Sequence, residues 1–210
     1  MPYIFGKECR LMFNEEKVFN WYVFAVEPGY GGALIKMLKS RFSKIINDVF
    51  VPHKEMFQIY TNASGKNYRV KKKPLFPGYV FVETELYASD FLEELDKGGY
   101  KCSKVIKLLR HGPNDYDIAV KEDTQLFLTL LWGKKKCIGT SSGYIDGKKI
   151  IINRGILRGQ EGFVVEYDKE KMEVEISINF MGDRVSVTLA LNLDNEAPTP
   201  QELNKQPAAV

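Results

Sequence analysis

Lys73-Pro74-Leu75-Phe76-Pro77-Gly78-Tyr79-Val80-Phe81-Val82 sets a Phe-Pro-Gly-Tyr turn between a basic arm and an apolar strand. Pro77 fixes its own φ, and Gly78 can take the positive φ of a tight turn. The segment therefore predicts a stiff corner that presents Phe76 and Tyr79 at a surface. The arm before it carries Lys66, Arg69, Lys71, Lys72 and Lys73 with no acid among them. A rigid aromatic corner beside a cationic arm predicts a docking site close to nucleic acid.

Upstream of the corner, residues 21–26 form an apolar run of strand length and composition. Pro28-Gly29-Tyr30-Gly31-Gly32 breaks it, and residues 33–42 read as a helix with Leu34, Ile35, Leu38 and Phe42 on one face. Residues 49–51 are a short strand ended by Pro52, and 56–60 pairs with 68–70 as a hairpin across the polar turn 62–66. The strand 79–82 follows the corner. Phe91, Leu92 and Leu95 suggest a short helix that Gly98-Gly99 ends. An apolar strand over 105–109 comes next, then a helix over 120–132 with Phe127, Leu130 and Leu131 on its apolar face. Strands and helices of these lengths predict a compact α+β domain over 20–132, preceded by a disordered extension at 1–19.

Gly133-Lys134-Lys135-Lys136 changes the texture, and Gly139-Thr140-Ser141-Ser142-Gly143 has linker composition, so 133–146 is expected to be a flexible linker. Beyond it, Val174, Ile176 and Ile178 alternate with Glu173, Glu175 and Ser177. Val185, Val187, Leu189 and Leu191 alternate with Ser186, Thr188 and Ala190. Period two in both runs means half-buried antiparallel strands, joined by 179–183. Four or five such strands over 147–194 are expected to close into a small β-barrel. Residues 195–210 are expected to be a disordered tail, its Ala197–Val210 part rich in Pro and Gln.

The chain has 210 residues, 44% of them hydrophobic, enough for a core in one large or two small domains. Its formal charge is only +3, yet the basic residues are bunched. Lys101, Lys104, Lys107 and Arg110 make a second acid-free stretch. Lys134, Lys135, Lys136, Lys148, Lys149, Arg154 and Arg158 make a third, interrupted only by Asp146. From residue 144 to 196 there are seven Lys and Arg against ten Asp and Glu, which excludes a uniformly basic barrel. The acids concentrate between Glu166 and Glu175, and this polarity predicts one RNA-facing edge made of Lys148, Lys149, Arg154 and Arg158 with Lys134, Lys135 and Lys136, where Arg154 and Arg158 grip phosphates or bases through planar bidentate contacts. No apolar run approaches the roughly 20 residues of a membrane helix, and no signal pattern opens the chain, so a cytoplasmic protein without membrane contact is expected. Cys9, Cys102 and Cys137 are too widely spaced for Cys-x-x-Cys chemistry, and His53 and His111 sit in no metal spacing. No metal, cofactor or catalytic residue is expected.

Trp21-Tyr22-Val23 followed by a Gly-Tyr helix start, then Val51-Pro52, then Leu75-Phe76-Pro77-Gly78-Tyr79-Val80, stand in an order that resembles the N-terminal domain of the NusG family of transcription elongation factors. Residues 155–164, Gly-Ile-Leu-Arg-Gly-Gln-Glu-Gly-Phe-Val, are similar to its KOW motif, so the resemblance covers roughly 20–194. It implies an NGN-like antiparallel sheet flanked by helices, joined to an SH3-like KOW barrel. It also implies docking on the clamp of the largest RNA polymerase subunit through Phe76, Pro77, Tyr79 and Tyr22, suppression of pausing, non-template DNA as a further partner, and a monomer. Segment 148–159 and the stretch Ile178-Asn179-Phe180-Met181-Gly182-Asp183-Arg184-Val185 look most like the specialised LoaP paralogues. That likeness implies operon-selective antitermination, recruitment by a leader RNA hairpin read by the KOW domain, and Arg184 among the RNA-binding residues. One departure is the start of the helix after Ala119, where Val120-Lys121-Glu122-Asp123 lacks the family's usual Ser-Asp pair.

A rival motif joins the strand 21–26 to Gly29-Tyr30-Gly31-Gly32, a helix, and Asp48 at ribose-partner distance. Its glycine spacing departs from Gly-x-Gly-x-x-Gly, and Asp48 precedes a strand instead of ending it, so dinucleotide binding is rejected. Two function classes remain. One is an RNA-recruited antitermination factor; the other is a general elongation factor whose KOW domain binds a protein, such as the ribosome or a termination factor.

Overall fold

The structure is a computed structural model that describes residues 19–63, 65–101, 103, 106–147 and 149–194. The expected terminal extension and tail lie outside the described residues, apart from residue 19, as do Cys9, Cys102, Lys104, Val105 and Lys148. In chain order the elements are β1 (Asn20–Val26), α1 (Gly31–Arg41), β2 (Asp48–Phe50), β3 (His53–Asn62), β4 (Gly65–Pro74), β5 (Tyr79–Thr84), α2 (Ala88–Lys97) and β6 (Ile106–Leu108). They continue with α3 (Glu122–Trp132), β7 (Cys137–Ile138), β8 (Ser141–Asp146), β9 (Lys149–Arg154), β10 (Val164–Asp168), β11 (Glu173–Phe180) and β12 (Asp183–Asp194). The fold is mixed α+β and mostly strand. No helix among the described residues is long and apolar enough to cross a membrane.

Among the described residues two compact units divide these elements, one from residues 19–50 and 80–119, the other from 51–79 and 120–194. The first holds a sheet in the order β2-β5-β1-β6. β1 is interior to it, and Trp21, Tyr22, Val23 and Phe24 are buried in succession, the continuous run expected of a strand covered on both faces. The Trp21 ring meets Phe50 and Phe81 edge-on, and its Nε1 donates to Glu83 Oε2 at 3.1 Å. α1 contributes Leu34 and Leu38 to the core, and α2 contributes Phe91 and Leu95. Gly98 is the C-cap of α2 and leaves room for the Phe42 ring, 2.2 Å from where a Cβ would lie. β1 runs antiparallel to β6, and Asp48 Oδ1 accepts the Val49 N–H at the start of β2. Asp48 thus caps a strand of an antiparallel pair, which agrees with the rejection of the dinucleotide motif.

The second unit holds a three-stranded sheet, β4-β3-β7, and a five-stranded sheet, β10-β11-β12-β8-β9. The hairpin expected over 56–70 is far longer: β3 and β4 pair over ten rungs, from His53↔Pro74 to Asn62↔Gly65. β11 alternates as its period predicts, with Val174, Ile176 and Ile178 buried; β12 does so over Val187, Leu189 and Leu191, while Val185 is half-buried and Ala190, read on the polar row, is buried.

Two local expectations are corrected. Residues 133–146, read as flexible linker, contain β7 and β8, and β8 pairs with both β12 and β9. Small residues serve close strand approach here rather than flexibility. A Cβ at Gly143 would stand 2.1 Å from Ile151 O, and Ser141 is buried with its Oγ accepting the Leu157 N–H at 3.3 Å. On α3 the buried residues are Thr124, Leu128, Leu131 and Trp132, not Phe127 and Leu130 with Leu131. The helix is apolar on several sides, so period alone left its face open; Leu130 is 44% exposed.

Candidate functional site

The Phe76–Tyr79 corner has the backbone its sequence demands. Gly78 sits at φ 82°, and the Tyr79 N–H donates to Phe76 O at 3.2 Å to close the turn. Leu75 N–H donates to Pro52 O at 2.8 Å and ties the corner to the strand before it. Pro77 and Gly78 are exposed and Tyr79 is half-buried, but Phe76 is only 3% exposed. The cover is Phe180, at the end of β11. Its ring stacks on Phe76 at 4.6 Å and 10° between planes, and on Tyr79 at 5.9 Å and 26°. Thr124 Oγ1 of α3 donates to Asn179 O at 3.2 Å and holds the same hairpin end. The expectation of two surface rings is therefore corrected: the corner is stiff, but a third ring occupies it, because three apolar aromatic faces gain more by stacking than by facing water. Phe180 was visible in the sequence only as an aromatic residue in a hairpin turn.

Tyr22 departs further from its expected place. It is fully buried, stacks on Phe91 at 4.2 Å and 7°, and donates its hydroxyl to Leu86 O at 2.9 Å. Burial above all, with the Asp90 charge adding to it, holds its phenol well above the ordinary tyrosine value. A phenol so enclosed is a core residue and presents no docking surface.

The proposed RNA-facing residues fall on different elements. Lys149 and Arg154 are exposed on β9, an edge strand, and Arg158 is exposed on the turn that follows. That turn is tightly specified. Gly155 adopts φ 90° where a Cβ would stand 2.5 Å from Ser141 Oγ, and Leu157 is buried beneath it. Glu161 Oε1 accepts the N–H groups of Ile152 at 3.2 Å and Gly159 at 3.3 Å, so the motif's acid folds the loop back on β9. Arg154 and Arg158 are thus carried on a braced edge. At the other end of the strand order, β10 and β11 carry Glu166, Asp168, Glu173 and Glu175, with Glu166 paired to Glu175 across the ladder. Apart from Asp146, which faces Lys149 across β8–β9, and Lys171, ion-paired with Asp168 at 2.7 Å, charge is segregated across the sheet from one edge to the other.

Arg184 and the Lys134–Lys136 run do not join that edge. Arg184 opens β12, two strands from β9, and its Nε donates to Ser177 Oγ at 2.6 Å. Lys134, Lys135 and Lys136 precede β7 in the other sheet, where Lys136 O accepts the His53 N–H at 3.0 Å. Strand pairing, invisible in a linear run of charge, assigns them to β3.

A mixed sheet-and-helix unit built on β2, β5, β1 and β6, together with a strand-rich unit that carries a braced basic edge, sets the class of protein. Residues 19–123, half of the chain, match the family model described as "Transcription termination factor nusG". The chain belongs to the NusG family. It is 23% identical over 189 residues to the transcription termination/antitermination protein NusG of Rickettsia typhi, covering 85% of this chain and 91% of the relative. It is 24% identical over 175 residues to the protein of the same name from Haemophilus influenzae, covering 81% and 90%.

Proposed function

We propose that this chain is a transcription elongation and antitermination factor that docks on the RNA polymerase clamp through the Phe76-Pro77-Gly78-Tyr79 corner and is brought to particular operons by a leader RNA hairpin. In this reading residues 20–132 form the NGN-like polymerase-binding domain, and 147–194 form a KOW domain of the SH3-like barrel type that reads the hairpin, as in the LoaP-type members that segment 148–159 resembles. Membership of the NusG family supports the polymerase partner and a non-enzymatic role. The observation that carries the RNA partner is the segregation of Lys149, Arg154 and Arg158 on one edge from the acids of β10 and β11. Docking in this reading requires Phe180 to leave the corner, since polymerase and Phe180 compete for the same two rings.

The test is a salt titration of the full chain on the native leader hairpin and on a scrambled control. Each cationic phosphate contact contributes a little under one unit of log-log slope, so Lys149→Ala should weaken both RNAs alike and flatten the slope by about that amount. Arg154→Lys and Arg158→Lys keep the charge but lose the planar fork, so they should reduce preference for the cognate hairpin. Equal, weak binding of both RNAs by the wild type would transfer the reading to a general elongation factor whose second unit binds a protein.

A further inference from the structure

β4 is the edge of its sheet and is exposed along nearly its whole length. Alternation places Arg69, Lys71 and Lys73 on one face of the β3–β4 ribbon. At about 3.4 Å of rise per residue these cations recur every ~7 Å, comparable with the separation of successive phosphates along an extended nucleic-acid strand. Across the ladder the same face carries Lys54, Met56, Gln58 and Tyr60; Met56 is buried and Lys54 reaches Thr188 of β12, so the open part of this face is Gln58, Tyr60 and the β4 cations along the sheet edge. Gln58 Oε1 accepts the Arg69 Nε–H at 3.0 Å and orients the guanidinium, and Tyr60, 44% exposed, extends the row towards the tip.

The ribbon also breaks a local rule. Lys54 stands directly opposite Lys73, and like charges so placed destabilise a sheet. Lys54 is held there by donating to Thr188 O at 2.6 Å; its pKa is lowered by burial above all, with Glu173 opposing and Lys73 adding to the effect. A second basic run arrives from far along the chain, because β7 pairs beside β3 and sets Lys134 and Lys135 at the Lys72–Lys73 end. The charges of Lys72 and Lys135 both reach the Cys137 thiol, which burial above all pushes up and the two lysines pull down, with Glu55 opposing them. Among the described residues of β3, β4 and β7, Glu55 is the one acid, and it lies opposite Lys72 on the other face. So concentrated a cationic row, retained at a cost to the sheet, fits a polyanion.

We infer that this face of the ribbon is a second nucleic-acid site that takes single-stranded RNA, with Lys73, Lys71 and Arg69 on successive phosphates and Tyr60 stacked on an unpaired base. An exposed ring offers its π-face to a splayed base, which a paired stem does not supply. The choice of RNA rests on the proposed function, since a leader hairpin brought to the chain carries unpaired transcript on either side; β4 and β9 fall in one compact unit of the structure, across the boundary between the two domains of that reading.

The experiment measures fluorescence anisotropy of labelled oligouridine with the full-length chain, with oligodeoxyuridine and the unflanked leader hairpin as separate probes. The triple variant Arg69→Gln, Lys71→Gln, Lys73→Gln should bind oligouridine more than tenfold more weakly, and its salt slope should flatten by about 2 units, roughly 0.7 for each of three lost contacts on a single strand. Tyr60→Ala should lose on the order of tenfold with the salt slope retained, since stacking releases no counterion. All four side chains are exposed, and loss of the Lys54–Lys73 opposition should leave the triple variant melting no lower than wild type; the single Tyr60 variant carries the test if it melts lower. Unchanged oligouridine affinity in the ribbon variants overturns the inference, and equal affinity for oligodeoxyuridine overturns the assignment to RNA. Failure of the wild type to prefer the leader hairpin over a scramble removes the β9 reading alone, provided the ribbon variants still lose oligouridine.

Discussion

Phe180→Ala should strengthen polymerase binding while weakening the isolated fold, an opposition of sign that few substitutions produce. The Phe180 ring is 2% exposed and makes two ring pairs, with Phe76 and with Tyr79. Each such pair contributes about 0.5–1.5 kcal/mol beyond area burial, so the two together hold the corner closed by about 1–3 kcal/mol. Where polymerase takes only the open corner, the apparent affinity is reduced by the fraction of chains in which it is open. Weakening the closure by about 2 kcal/mol should therefore raise affinity roughly thirtyfold. The same truncation removes a buried ring, which costs about 3–5 kcal/mol in a packed core, so the second unit should also unfold at lower denaturant. The assay is biolayer interferometry of core RNA polymerase against wild type, Phe180→Ala, Phe76→Ala and the double variant, at a temperature where far-UV circular dichroism shows all four folded. Phe76→Ala should weaken binding by about 2 kcal/mol or more, as loss of an aromatic anchor does, and the double variant should show no gain over it. Phe180→Ala binding no more tightly than wild type, with Phe76→Ala unchanged, would refute both the docking assignment and the competition for the corner.

Gly155→Ala should destabilise the second unit by at least about 2 kcal/mol in urea, because the new Cβ meets Ser141 and Thr140 O inside 3 Å at a φ of 90°. Tyr22→Phe should cost about 1 kcal/mol through loss of the hydrogen bond to Leu86 O. It should also change the alkaline limb. The unfolded phenol ionises near 10, whereas burial holds the folded one higher. The stability from neutral Tyr22 is full below about pH 10 and is lost as pH rises towards the folded value. Denaturation midpoints of wild type should fall more steeply above pH 10 than those of Tyr22→Phe, and parallel curves would contradict this. Backbone NMR shifts of the full chain over β11 and β12 should be extended throughout, since winding Val174, Ile176 and Ile178 into a helix would scatter a row that period two keeps on one face; helical shifts there would contradict the strand assignment.

Local chemistry made part of this protein legible from its residues alone. The strand character of β1, the alternating rows of β11 and β12, and the positive φ of Gly78 follow from apolar run length, side-chain period and glycine's freedom, which act over a few residues whatever the rest of the chain does. The ordered motifs from Trp21 to Val164 likewise pointed to the family that the match over residues 19–123 establishes. What lay beyond reach depended on pairing between distant segments. Gly139-Thr140-Ser141-Ser142-Gly143 has the composition of a flexible linker, yet Gly143 and Ser141 are small because β8 must approach β9 and the Leu157 turn closely. Tyr22 reads equally well as an interface ring or a core ring until α2 sets Phe91 against it. Lys134, Lys135 and Lys136 are a uniform basic run in sequence, and only the pairing of β7 with β3 decides that they extend the ribbon of β4. Phe76 was expected at the surface because its corner is stiff. Stiffness is a local property of Pro77 and Gly78, whereas burial depends on what arrives from elsewhere, and Phe180 arrives from about a hundred residues away.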